Sequence, residues 1–230
     1  MAKPNFTLAD AVDKLAAYHG APPEPPSSDP FELVLYENVA YLAPDHRRLE
    51  GFEQLRATIG TRPEAVLAAT TEELEAVTSQ GILKGTSAEK LHDCAEIALT
   101  EFGGDLSHVI REEPAVAKRA LRKFPGIGEP GAEKILLFAA DRPFLAPDSN
   151  GLRVLIRLGF VNDESSYARS YAGAQAAAAS LGSDVAAIRR AHGLLRLHGQ
   201  TVCRRTKPEC ASCPLRPNCK YARTEWSAVM

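Results

Sequence analysis

Cysteine is scarce in this 230-residue chain: there are five, and four of them crowd into CRRTKPECASCPLRPNC at positions 203–219. Long apolar runs are missing, and none approaches the length needed to cross a bilayer. The N-terminal MAKPNFTLADAVDK is broken by polar residues before an apolar core develops, so it does not look like a secretion signal. These absences lead to the expectation of a cytoplasmic protein with no membrane partner. Alternating strand patterns, hairpin turn signals and internal repeats are also lacking, which leaves an all-α fold. An excess of positive charge is missing too. With a net charge of −2, any affinity for nucleic acid has to come from local patches.

What is present is helical spacing almost throughout, as in Leu8, Val12 and Leu15 or Leu74 and Val77. About ten short helices are expected. The first starts at Thr7, with Asp10 completing a capping box, and ends near His19 and Gly20. Residues 21–29 form a proline-rich connector that cannot be helical. Asp29 as N-cap and Pro30 in the first turn then open the helix FELVLYENVAYL. The alanine-rich AGAQAAAASL also reads as a helix. In a reducing compartment structural disulfides are disfavoured, so the four clustered thiols read as metal ligands. The fifth, Cys94 in LHDCAEIAL, reads as a buried structural thiol.

The second informative stretch is AKRALRKFPGIGEPGAEKILLFAA at 117–140: a basic helix, a tight turn and another helix. Gly126 and Gly128 permit close backbone approach to a partner. Pro130 suits the first turn of the following helix, whose free amides favour an anion such as a phosphate. Lys118, Arg119, Arg122 and Lys123 precede the turn and add positive charge. A DNA backbone is the ligand this pattern fits.

FPGIG followed by a helix resembles the helix-hairpin-helix of the endonuclease III superfamily of DNA glycosylases. The spacing C-x6-C-x2-C-x5-C over Cys203, Cys210, Cys213 and Cys219 looks like that family's 4Fe-4S motif, and LHGQTVC at 197–203 resembles its lead-in. The resemblance runs from about Asp29 to Cys219, with the motifs in matching order. Four thiolates can hold a tetrahedral zinc as well as an iron-sulfur cluster, and spacing alone leaves zinc open. In either case the loop between Cys203 and Cys210 carries Arg204, Arg205 and Lys207 against only Glu209. A metal centre there would fix a basic loop against phosphates.

The resemblance also implies a reaction. A glycosylase flips a nucleotide out of the duplex and breaks its bond to the sugar, which calls for an ionised carboxylate and a separate acid. Asp148, in LAPDSNGLRVLIRLGF, matches the family's catalytic aspartate, and a helix N-terminus would keep it ionised. Asn150 looks like the Asn of the MutY adenine-glycosylase branch. Glu37 falls on the position of the MutY-type proton donor, on a helix whose apolar surroundings would raise its pKa. At the position of the nucleophilic lysine of bifunctional members stands Pro130, so no Schiff base can form there. Lys134, one turn further, reads as a solvated helix lysine. Tyr41 and Leu42 replace the glutamines of the intercalating segment and could wedge the duplex open. Only eleven residues follow Cys219, too few for the MutY C-terminal domain.

The expected architecture is therefore the helix-hairpin-helix glycosylase fold in two helical subdomains, with the DNA groove and active site between them. One covers 30–148 and holds the hairpin at 117–140. The other, the cluster domain, joins 1–20 to 149–230. The expected function is monofunctional excision of a damaged or mispaired base from double-stranded DNA in base excision repair, by a monomer. Asp148, Glu37 and Asn150 form the expected catalytic set. Gly126, Ile127, Gly128, Arg122, Lys123, Arg204, Arg205, Lys207, Tyr41 and Leu42 are expected to contact DNA. A bifunctional glycosylase/lyase using Lys134, and a non-catalytic iron-sulfur protein that binds damaged DNA, are the alternatives.

Overall fold

The computed structural model describes residues 6–40 and 43–224, and among them every regular element is a helix. In chain order these are α1 (Leu8–His19), α2 (Pro30–Asn38), α3 (Asp45–Thr58), α4 (Pro63–Ala68), α5 (Thr71–Thr78) and α6 (Lys84–Phe102). There follow α7 (Pro114–Leu121), α8 (Glu129–Ala139), α9 (Ser149–Leu158), α10 (Tyr167–Ala172), α11 (Ala174–Ala177), α12 (Val185–Thr201) and α13 (Lys220–Thr224). Among the described residues, no helix is long and apolar enough to cross a membrane.

The chain divides into two compact units, Pro25–Asp141 and Met1–Glu24 with Arg142–Met230. The second boundary thus falls before residue 148, the expected edge of the barrel. Gln175 explains the difference: its side-chain amide brackets Leu145 from both sides, accepting from the Leu145 N–H at 3.3 Å and donating to its carbonyl at 3.4 Å. Residues 142–148 are thereby held to the helices that follow them.

In the Pro25–Asp141 unit, α2 is the central helix. Asp29 caps it by accepting from Glu32 N–H at 2.9 Å, and Pro30 sits in the first turn, where no backbone donor is needed. Phe31, Leu33, Val34 and Leu35 are all at most 4% exposed, and α2 packs on α3, α6 and α8. Burying each such side chain is worth about 1.5–3 kcal/mol. Cys94 on α6 is fully buried, and burial pushes its thiol up, as suits a structural residue.

In the other unit, α12 is the spine, packed against α1 and α9 through Ile188, Leu194 and Leu195. The capping box at the start of α1 forms in full, with the Thr7 hydroxyl accepting from Asp10 N–H and the Asp10 carboxylate accepting from Thr7 N–H. The alanine-rich segment is shorter in helix than its composition suggests: α11 spans four residues and continues as a 3-10 turn over Ala178–Leu181. Gly173 and Gly182 bracket it, and Ser180 turns back to accept from the Ala9 N–H of α1 at 3.3 Å.

Candidate active site and nucleic-acid interface

The hairpin occupies residues 122–128, between α7 and α8. Gly126 takes φ +74, the left-handed region, and a Cβ built there would lie 2.4 Å from Asn38 Oδ1. Asn38 closes α2 and is 2% exposed. Its Nδ2 donates to Val34 O at 3.0 Å and across to Pro125 O at 2.9 Å. The turn is therefore buckled onto the helix that carries Glu37. Among the described residues, the exposed amides of Gly126 and Gly128 donate to no protein acceptor, which leaves them for an anion.

Two expectations about the hairpin need correction. Ile127 is 5% exposed and its N–H is spent on Phe124 O at 3.1 Å, so it packs the turn and presents nothing outward. The cations before the turn are not free either. Lys118 pairs with Glu129 at 2.5 Å and Glu133 at 3.1 Å, Arg122 with Glu129 at 3.3 Å, and Lys123 with Glu101. Acids from α6 and α8 offset the positive charge that the linear sequence displays.

Glu37 is half-buried on α2, but its surroundings are not apolar. Lys134 of α8 donates to Glu37 Oε1, and Arg48 of α3 lies 3.6 Å from the same oxygen. All three side chains are at most 18% exposed. The carboxylate of the expected proton donor thus has two cations as neighbours. Lys134 is correspondingly an engaged, part-buried ammonium rather than a solvated one. Tyr41 and Leu42 lie outside the described residues. Ile82 and Leu83 are 71% and 52% exposed, and the adjoining Gly81 abuts Ala40. These two apolar residues were missed in the sequence because a short GIL run between polar residues carries no periodic signal.

In the second unit Asp148 caps α9. Its Oδ1 accepts from the N–H groups of Asn150 and Gly151, at 3.0 and 2.8 Å. Its Oδ2 accepts from Asn150 Nδ2 at 3.1 Å and from Arg196 of α12 at 2.5 Å. Burial opposes ionisation here, but the Arg196 guanidinium and these N–H donors prevail, and the carboxyl is held below its usual range. Tyr167 lies nearby, and burial together with the Asp148 charge pushes its phenol up to about 12. Gly199 lets α12 meet the first turn of α9, since a Cβ there would sit 2.5 Å from Asn150 O.

The side chains that follow Asp148 on α9 reach the cysteine loop. Arg153 donates to Asn150 Oδ1 at 2.8 Å, to Gly199 O at 2.7 Å and to Cys203 O at 3.0 Å. Arg157 donates to Arg204 O at 2.8 Å and Arg205 O at 3.2 Å, stacks on Tyr221 at 4.4 Å and approaches Cys203 Sγ at 3.4 Å. A cleft of about 570 Å³ follows α9 from Ser149 to this loop, and Arg153, Arg157, Arg205, Lys220 and Tyr167 help to line it.

Cys203, Cys210, Cys213 and Cys219 line a single small cavity. Burial and the neighbouring sulfurs push the Cys210 and Cys219 thiols up, and Cys213 up to about 11. Four thiols gathered in this way resist ionising together, and a cationic centre among them removes the resistance. Buried His198 bridges Cys213 Sγ, at 3.4 Å, to His19, at 3.1 Å. In the loop itself Arg204 pairs with Glu209 at 2.6 Å, while Arg205 and Lys207 are exposed and have no ion pair among the described residues.

No family model matches the chain. Among curated proteins, endonuclease III of Rickettsia conorii is 30% identical over 103 residues, 45% of this chain and 46% of that protein. Endonuclease III of Thermotoga maritima is 22% identical over 196 residues, 85% of each. The chain thus spans about half the length of the first and most of the second. Its fold is similar to a trapped endonuclease III–DNA covalent intermediate, with TM-score 0.74 and 22% identity over 92% of this chain and 93% of that one. It is also similar to a thermostable thymine-DNA glycosylase, with TM-score 0.76 and 16% identity over 95% and 98%. The chain thus has the fold of endonuclease III and of the helix-hairpin-helix DNA glycosylases, and is similar in sequence to endonuclease III.

Proposed function

We propose that the protein is a DNA glycosylase of base excision repair, hydrolysing the N-glycosidic bond of a damaged or mispaired base flipped out of duplex DNA. The observation that carries the reading is Asp148, a carboxylate kept ionised at a helix N-terminus and oriented by four donors. Such a group stabilises positive charge developing on a sugar. The hairpin amides suit a backbone phosphate, and so do the cations of the cleft along α9. Exposed Ile82 and Leu83 suit an apolar wedge that keeps the duplex open, the role expected of Tyr41 and Leu42.

Cys203, Cys210, Cys213 and Cys219 would hold a 4Fe-4S cluster, which when bound supplies the charge that keeps their loop closed. The four thiols line one small cavity, and a tetrahedral zinc is the alternative occupant.

The glycosylase is read as monofunctional. Pro130 has no amine, and the Lys134 side chain is engaged by Glu37. The test is base release from lesion-bearing duplexes with and without alkali, beside Asp148→Asn. Strand cleavage only after alkali, lost in the variant, is the expected result. A covalent complex trapped by borohydride and lost in Lys134→Ala would instead establish a lyase.

A further inference from the structure

A metal-bound cysteine is a thiolate, and its sulfur accepts hydrogen bonds but has none to donate. A ring nitrogen that faces such a sulfur must therefore carry the proton. His198 Nε2 lies 3.4 Å from Cys213 Sγ, and His198 Nδ1 lies 3.1 Å from His19 Nε2. His198 is 1% exposed, so burial disfavours a charged ring, and a neutral imidazole has a single N–H. With that N–H spent on sulfur, His198 Nδ1 is left as an acceptor and His19 Nε2 as its donor. A metal held by Cys213 thus fixes the tautomer of both rings.

The backbone of His198 is tied to the same loop. Its carbonyl, in the last turn of α12, accepts from Cys203 N–H at 2.8 Å, so the main chain holds the first ligand of the set while the ring reaches the third. His19 ends α1 and sets its ring edge-on to that of His198, with 5.3 Å between centroids at 72°. The other nitrogen of His19 meets no protein partner among the described residues, and the ring is part-exposed. A hydrogen-bonded chain therefore runs from a ligand sulfur to the protein surface. The neighbouring sulfurs are met differently: Arg157 approaches Cys203 Sγ at 3.4 Å, and Cys219 Sγ faces Arg157 O at 3.3 Å. All these residues lie in the unit formed by Met1–Glu24 and Arg142–Met230.

We infer that His198 and His19 are positioning residues of the metal centre, with His198 the hydrogen-bond donor to the Cys213 sulfur and His19 the residue that locks its ring. The inference rests on the 4Fe-4S reading above. A hydrogen bond draws electron density from the sulfur and stabilises the reduced form of a cluster, whose ligands carry more negative charge. The pair therefore raises the one-electron reduction potential and slows the loss of iron. Both effects pass through Cys213.

The full chain is tested with its metal centre in place. Wild-type protein should contain iron and sulfide and show the visible absorption of an iron-sulfur cluster; zinc or no metal would overturn the cluster reading, and the inference with it. His198→Leu should lose iron to a chelator about 10–100-fold more readily, the usual cost of removing a partner of a metal ligand. Its potential in voltammetry should fall, a tenfold change in the oxidation equilibrium reading as about 59 mV for one electron. His198→Gln keeps an N–H donor and should restore most of both. Pulsed EPR of the paramagnetic cluster should show one exchangeable proton fewer in His198→Leu and none fewer in His198→Gln. His19→Phe keeps a ring but no donor and should shift potential and iron loss in the same direction by less. Equal effects of His198→Leu and His198→Gln would reduce His198 to packing and overturn the inference, as would a loaded His198→Leu protein of unchanged potential. If His198→Leu fails to load, His19→Phe decides: unchanged potential and iron loss there would overturn the inference.

Discussion

Four cations lead into the hairpin of the 25–141 unit and three sit in the cysteine loop of the other, yet the two groups are used differently. Lys118, Arg122 and Lys123 are matched by Glu129, Glu133 and Glu101, so what the hairpin offers an anion is mainly backbone. In the loop, Glu209 answers only Arg204, while the carbonyls of Cys203, Arg204 and Arg205 are gathered by Arg153 and Arg157 beneath. That leaves Arg205 and Lys207 facing outward. On the proposed function, a chain of net charge −2 meets a polyanion in two modes, with amides fixing position at one place and exposed charge adding salt-sensitive attraction at the other.

The contrast can be pressed from both sides. Removing the proposed metal centre, by chelation or by Cys213→Ala, should have the largest effect, because metal binding in such sites carries folding free energy on the order of 10 kcal/mol. Limited proteolysis and hydrogen exchange should show residues 203–219 opening while the hairpin stays protected; a hairpin that opens as well would mean that the two are not independent. Next comes Gly126→Ala. It forces a side chain into the left-handed region and against Asn38, and should cost about 2–4 kcal/mol by thermal unfolding. Unchanged stability would show that Asn38 can give way.

A smaller effect is expected from replacing Arg204, Arg205 and Lys207 together by alanine. The slope of log affinity against log salt should flatten by about 2–3, at roughly 0.9 per phosphate contact. Replacing Lys118, Arg122 and Lys123 in the same way should flatten it by less than about 1, because those charges are already offset within the protein. Equal slopes from the two triple variants would erase the distinction between the two modes.

Local chemistry was the legible part of this sequence. Thr7 with Asp10, Asp29 with Pro30, the FPGIG turn and the cysteine spacing are all short-range signals, and each determines a cap, a turn or a ligand set within a few residues. The electrostatic partners were not legible. Arg196 meets Asp148 across 48 residues and Lys134 meets Glu37 across 97, and no periodicity marks either pair. Glu37 therefore read as a residue on an apolar helix, when two cations from other helices meet it. The acids facing the hairpin cations were visible at 129 and 133, but their effect depends on α8 folding back along α7.

The bond from Asn38 to Pro125, with Gly126 closed over the same side chain, ties the turn to a helix some ninety residues earlier. For protein engineering this means that the hairpin is not a portable cassette. Transplanting residues 122–128 into a relative would carry over the amides but not the amide side chain that sets their attitude. A graft would have to bring position 38 with it, and with it the neighbour at 37.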